Sequence, residues 1–324
     1  MYRLLFVLLF AALAPGLNAQ QVGKEFVQKT NYLLYIPETY NTDTSQRWPL
    51  VMFLHGSGES GNDVEKVKAN GPPKLIAAGK QFPFLVVSPQ AASSREGFQP
   101  LVLKELLDEL KKNYRVDPDR VYLTGLSMGG YASWKLAQEY PEEFAAVIPV
   151  CGGGDTSTIW KLRHMPVWNF HGGQDRNVPI SESEKMVSAV RKYNPAVRFT
   201  IYPETGHNSW EQAYDTDSLY SWMLSKTRFH FTVRALSTAE LAKVEGRYAG
   251  PDEDSFDIRL AGDQLQIAMV GNPNDMIALK PSGDGHFFIF ENQLTELVFD
   301  KTRSGFVLYD RNSRRTFRKL RKGK

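Results

Sequence analysis

The run Val121-Tyr122-Leu123-Thr124-Gly125-Leu126-Ser127-Met128-Gly129-Gly130 constrains this chain more than any other stretch. An apolar segment leads into Gly-x-Ser-x-Gly, and helix-compatible residues follow from Tyr131 to Gln138. A strand, a sharp turn and a helix in that order are what a nucleophile elbow needs. Such a turn presses backbone against backbone on both sides of the serine, which asks for glycine at Gly125 and Gly129. It also holds the serine in a strained conformation with its hydroxyl exposed above the sheet. The pentapeptide alone fits a plain serine loop equally well, so the reading turns on whether an acid and a histidine follow in order.

From about Asn31 to Lys226, short apolar runs alternate with helical patterns. Strands are expected at Tyr32–Ile36, Leu50–Leu54, Phe84–Ser88, Val121–Thr124, Ala146–Val150, Val167–Phe170 and Arg198–Tyr202. Most are continuous and β-rich, as in strands buried on both faces of a parallel sheet. Helices are expected at Pro100–Tyr114, with Leu101, Leu103, Leu106, Leu107 and Leu110 as its apolar stripe, and at Ser127–Tyr140, Ser181–Lys192 and Asp215–Leu224. This alternation predicts an α/β fold, a mostly parallel sheet with helices on both faces. After Phe231 the pattern changes. Arg234–Val244 reads as a short helical connector. Runs such as Phe256–Leu260, Gln264–Val270, His286–Phe290, Leu297–Phe299 and Gly305–Leu308 are then separated by turn signals. They predict a small antiparallel all-β domain, a barrel or a sandwich.

A length of 324 residues suits two domains, and 42% hydrophobic with 23% charged residues suits globular units with sizeable cores. A net charge of +3 is too small to argue for nucleic acid, and the basic tail from Arg311 to Lys324 reads as a polar last strand with a solvated end. Arg3, the apolar run Leu4–Leu13, the breakers Pro15 and Gly16, and Leu17-Asn18-Ala19 read as a secretory signal peptide cleaved after Ala19. The apolar run is shorter than the ~20 residues of a membrane span. The expected organisation is therefore a leader at 1–19, a first domain at 20–230 and a β domain at 231–324, in a secreted or periplasmic protein. Cys151, the one cysteine, ends an apolar run and reads as a buried inert thiol.

Three segments join Ser127. Leu50–Leu54 runs into His55-Gly56-Ser57-Gly58-Glu59, a glycine-rich loop whose backbone N–H groups can point at a reacting oxygen. With the N–H of Met128, the N–H of Ser57, or alternatively of Gly58, would form an oxyanion hole. His55 reads as a structural brace for that loop. Val167–Phe170 runs into His171-Gly172-Gly173-Gln174-Asp175, which puts Asp175 at the same sheet edge as Ser127; Asp155 is the alternative acid. A carboxylate there would orient a histidine and stabilise its imidazolium. His207 follows a strand and precedes a helix, and it arrives last, after the nucleophile and the acid. Glu59 and Trp210 are candidate pocket residues. The six histidines are scattered singly, with no His-x-x-x-His or Cys-x-x-Cys spacing, so neither a metal nor another cofactor is expected.

At this point the resemblance is specific. Leu54-His55-Gly56-Ser57-Gly58-Glu59-Ser60-Gly61, Gly71-Pro72-Pro73-Lys74-Leu75-Ile76, Val87-Ser88-Pro89-Gln90, Leu123–Tyr131, Cys151-Gly152-Gly153-Gly154-Asp155 and Gly206-His207-Asn208-Ser209-Trp210 resemble one secreted branch of the α/β-hydrolases. Its members are carboxylesterase, dienelactone hydrolase and feruloyl-esterase-like proteins, often labelled "predicted peptidase". The resemblance covers residues 25–226 and implies a serine hydrolase with Ser127, Asp175 and His207 as its triad. It implies a small-molecule or polysaccharide-linked ester as substrate, acetyl or feruloyl esters among them. Where that branch often carries a Trp after Ser88-Pro89-Gln90, this chain reads Ala91–Phe98 without one. The C-terminal region resembles a small lipocalin-like β module. A prolyl-oligopeptidase-like peptidase with the same triad, and a non-catalytic glycan- or envelope-binding protein on a hydrolase scaffold, are the rival readings.

Overall fold

The computed structural model describes residues 29–251, 253–272, 274–290 and 294–320; the expected leader lies outside them. Among the described residues the first sheet has seven strands: β1 (Tyr32–Tyr35), β2 (Trp48–Leu54), β3 (Leu85–Pro89), β4 (Val116–Leu126), β5 (Ala146–Val150), β6 (Trp168–Gly172) and β7 (Arg198–Tyr202). Their spatial order is β1-β3-β2-β4-β5-β6-β7. Only the β1–β3 pair is antiparallel; the other pairs are parallel.

The period of two along β2 explains why this sheet needs helices on both faces. Leu50, Met52 and Leu54 point into one core cluster, while Val51 and Phe53 point into the other. The helices come from the crossovers that parallel strands require: α1 (Gly71–Ala77), α2 (Pro100–Asn113), α3 (Met128–Glu139), α4 (Ile180–Arg191), α5 (Trp210–Tyr214) and α6 (Asp217–Leu224). α2, α3 and α4 cover the first face through Leu107, Trp134 and Met186. α5 and α6 cover the second through Tyr214, Leu219 and Met223. On α2, Leu103, Leu107 and Leu110 are buried as expected, but Leu101 is 60% exposed. It lies two residues, about 200°, round the helix from Leu103 and so on the opposite side.

The chain then passes through α7 (Thr238–Ala242), which the Ser237/Glu240 capping box starts within the expected connector. Among the described residues eight antiparallel strands follow: β8 (Gly246–Ala249), β9 (Ser255–Ala261), β10 (Gln264–Met269), β11 (Ile277–Gly283), β12 (His286–Ile289), β13 (Glu296–Phe299), β14 (Gly305–Tyr309) and β15 (Arg314–Lys319). They form a closed barrel, sealed where β15 pairs with β8 through Arg318 and Ala249. Closure removes the exposed edges a sandwich would leave. Inward side chains, among them Tyr248, Phe287, Phe299, Phe306 and Phe317, fill the interior; Phe306 stacks on Phe317 with centroids 5.0 Å apart.

The barrel docks on the first unit through a buried carboxylate. Glu296 on β13, with only 2% of its side chain exposed, takes Arg163 Nε at 2.7 Å, His164 Nε2 at 3.0 Å and His286 Nδ1 at 3.4 Å. Burial alone would raise its pKa. Hydrogen bonds from His164 and His286, with the charges of His164 and Arg163, outweigh that and hold it far below the usual carboxylate range. Phe231 stacks on Phe288 beside this cluster, with centroids 4.8 Å apart.

Candidate active site

β4 ends at Leu126 and α3 begins at Met128, so Ser127 alone makes the turn. It does so at φ 53°, ψ −117°, a conformation a non-glycine residue adopts only when its surroundings force it. The surroundings are backbone. A Cβ on Gly125 would lie 2.6 Å from the Gly129 carbonyl carbon, and one on Gly129 would overlap the Leu54 carbonyl oxygen. Both glycines are therefore needed for β2, β4 and α3 to meet at this point. The Ser127 N–H donates to the Val150 carbonyl at 3.0 Å, which ties the turn to β5.

The structure brings together the three residues on which the sequence reading depended. Ser127 Oγ is 2.9 Å from His207 Nε2, and His207 Nδ1 is 2.7 Å from Asp175 Oδ2. Asp175 follows β6, and its side chain is fully shielded from solvent. Its Oδ1 accepts the N–H groups of Asn177 and Val178, both at 2.9 Å, which aims Oδ2 at His207. Behind it, burial keeps His171 below the ordinary imidazole pKa and thus neutral; its Nε2 is 2.9 Å from the Val178 carbonyl and 3.3 Å from Asp175 Oδ2. Asp155, the alternative acid, is exposed and closes its own turn, accepting Ser157 N–H at 2.9 Å and Ser157 Oγ–H at 2.6 Å.

Ser57 opens a short 3-10 turn, Ser57–Glu59, and is exposed; a Cβ on the preceding Gly56 would lie 3.8 Å from Ser127 Cβ. Met128 is the first residue of α3, where backbone N–H groups have no partner within the helix and the dipole favours negative charge. His55 braces the loop: its Nδ1–H donates to the Gly56 carbonyl at 2.6 Å and its Nε2 accepts Ala91 N–H at 3.0 Å. Burial lowers its pKa, which keeps the neutral tautomer those two bonds need. Phe98, which ends the Ala91–Phe98 segment, packs edge-on against His55 with centroids 4.9 Å apart.

The two candidate pocket residues part company. Trp210 stands edge-on to the His207 ring, with centroids 5.2 Å apart. Glu59, expected to face substrate, instead turns inward: it is 6% exposed and accepts a hydrogen bond from Asn70 Nδ2. The reason is local, since the 3-10 turn points residue 59 back under the loop. A groove next to Ser127, at Met128, is lined instead by Phe98, Met128, Tyr131, Gly154, Asp155 and Thr158.

Among the described residues, one trio of potential metal ligands occurs: Cys151, Asp175 and His207, with donor atoms within 4.8 Å of one another. Its chemistry does not suit a metal. Burial pushes the Cys151 thiol up to about 12, so it stays protonated, and the Asp175–His207 pair is spent on its own hydrogen bond. Cys151 is a buried wall behind the site.

Residues 91–219 match the dienelactone hydrolase family. The chain is 35% identical over 121 residues to poly(3-hydroxyalkanoate) depolymerase C of Paucimonas lemoignei, covering 32% of this chain and 28% of that protein. It is 25% identical over 184 residues to probable feruloyl esterase C of Aspergillus terreus, covering 55% of this chain and 67% of that one. A crystal structure of a thermostable esterase is 30% identical with a TM-score of 0.53, covering 61% of this chain and 59% of the other. The chain thus spans less than a third of the depolymerase's length and under two thirds of that esterase's. The stretch that matches the dienelactone hydrolase family carries Ser127, Asp175 and His207, which follow β4, β6 and β7 of a sheet with the α/β-hydrolase fold.

Proposed function

We propose that this chain is a serine hydrolase that cleaves carboxylic esters through an acyl-enzyme. One observation carries the reading: an unbroken chain from Ser127 Oγ to His207 to a buried Asp175, with spacings of 2.9 and 2.7 Å, starting at a strained elbow. His207 takes the Ser127 proton as Oγ attacks the ester carbonyl. Asp175 fixes the tautomer with the proton on Nδ1 and stabilises the imidazolium that forms. The backbone N–H groups of Met128 and Ser57 receive the oxyanion, a contribution on the order of 3 kcal/mol per donor. His207 then returns the proton to the departing alcohol, and water, activated by the same histidine, releases the acid. None of these steps needs a cofactor.

The similarity to a feruloyl esterase supports an ester linked to a polysaccharide or a small alcohol as substrate. The groove beside Met128 and Tyr131 offers it an open, mixed apolar and polar wall. Together with the sequence of residues 1–19, this supports an exported enzyme whose catalytic unit spans 20–230 and whose β module spans 231–324. Hydrolysis of p-nitrophenyl acetate by the wild type but not by Ser127→Ala is expected. Equal rates in the two would refute the mechanism. A panel of acetyl, butyryl, feruloyl and acetylated-xylan esters then ranks the acyl group.

A further inference from the structure

Asn70 stands at the N-cap of α1, the position where asparagine ordinarily accepts a backbone N–H from the second or third helical residue. Here those residues are Pro72 and Pro73, which have no N–H to give. The Asn70 side chain makes no cap hydrogen bond. It spans the site instead: Oδ1 accepts Trp210 Nε1–H at 3.0 Å, and Nδ2 donates to the buried Glu59 carboxylate. Each partner sits against a different part of the machinery. Trp210 stands edge-on to His207 at 5.2 Å. Glu59 ends the Ser57–Glu59 turn, and its backbone carbonyl is anchored by Gln90 Nε2 at 2.7 Å. Gly71, at φ +63°, allows this placement, because a Cβ there would lie 2.5 Å from the Phe53 ring.

From this geometry we propose that Asn70 is a positioning residue. Its amide links the loop that offers the oxyanion donor to the tryptophan that stops His207 from swinging off Ser127. The proposal rests on the serine-hydrolase reading above. It explains why an asparagine precedes Gly-Pro-Pro: the prolines release the side chain from capping, and the amide carries an NH2 to donate to Glu59 and an oxygen to accept from Trp210 at once. The titratable groups on this network are Glu59, His55 with Nδ1 3.9 Å from the Glu59 carboxylate, and His207 beyond Trp210; Lys74 and Glu211, paired at 2.7 Å, are the charges on the flanking helices.

The test uses the full chain, with Asn70→Leu and the near-isosteric Asn70→Asp, on p-nitrophenyl acetate. Fluorophosphonate labelling of the wild type at Ser127 checks the underlying reading separately: a wild type that does not label overturns that reading, whatever the Asn70 variants do. With a labelling wild type, Asn70→Leu is expected to lower kcat by about 10- to 100-fold with KM changed less than about 2-fold, the scale of a small misplacement of catalytic groups. Asn70→Asp still accepts from Trp210 but has no amide N–H to give Glu59, so it breaks one arm of the link and keeps the other. Its kcat should therefore also fall at least about 10-fold, again with KM changed less than about 2-fold. Wild-type kcat per fluorophosphonate-labelled site in either variant would overturn the proposal, since a merely structural role lowers the amount of active enzyme and not the turnover of each site.

Discussion

Replacing Asp175 by Asn tests the triad with almost no change in shape. The N–H groups of Asn177 and Val178, both 2.9 Å from Oδ1, decide how the new amide sits. Its oxygen must face them, because an NH2 there would leave donors facing donors in a buried site. The amide NH2 then faces His207 Nδ1, at the 2.7 Å position Oδ2 now holds. An NH2 cannot accept a hydrogen bond, so Nδ1 must give up its proton and accept instead. The ring proton moves to Nε2 and points at Ser127 Oγ, 2.9 Å away, where it blocks proton removal. The wrong tautomer costs serine triads about 10⁴-fold in kcat, or roughly 5.5 kcal/mol. Steady-state hydrolysis of p-nitrophenyl acetate reads this directly, with the thermal midpoint as a folding control. A folded Asp175→Asn variant that keeps more than about a tenth of wild-type kcat would refute the tautomer argument.

Two further outcomes concern stability. Glu296→Gln leaves the Arg163 guanidinium, 12% exposed, beside a neutral amide. It should cost about 3 kcal/mol at pH 7 in urea unfolding; a loss under about 0.5 kcal/mol would mean the ion cluster does not hold the barrel. Because the folded pKa of Glu296 is lowered, its stabilisation is complete above the ordinary glutamate value of about 4.3 and is lost as pH falls further. The wild-type midpoint should therefore drop more steeply in that window than that of the variant. Burial also lowers His55 and His171, so their contribution is complete above about pH 6.5 and fades as pH falls through the folded values. Thermal midpoint and esterase activity should decline together between about pH 6.5 and 5; a midpoint unchanged over that range would count against neutral, buried imidazoles bracing both loops.

Much of the site could be read from sequence because each chemical residue carries its own local signal. Ser127 stands between glycines after an apolar strand, and Asp175 and His207 each follow a strand end. Those signals are contained in short windows. The Asn70 bridge is not: it joins positions 59, 70 and 210, and nothing near residue 70 names its partners except the prolines that deny it a cap. Glu59 misled for a related reason, since a charge after a glycine-rich loop looks exposed until the 3-10 turn buries it. In the barrel, β11 carries Lys280, Pro281 and Gly283 and so lacks a strand signature; pairing with β10 and β12 on either side holds it in place. β4 likewise extends back through Asp117-Pro118-Asp119, beyond its apolar stretch.

The central claim is that Ser127 is the nucleophile, and covalent trapping tests it most directly. The folded wild-type protein is treated with a fluorophosphonate and its mass is measured intact and after digestion. The account predicts a single adduct on the peptide bearing Ser127, absent from Ser127→Ala and slowed in Asp175→Asn. A wild-type protein that hydrolyses esters yet carries no adduct, or carries it on another residue, would contradict it.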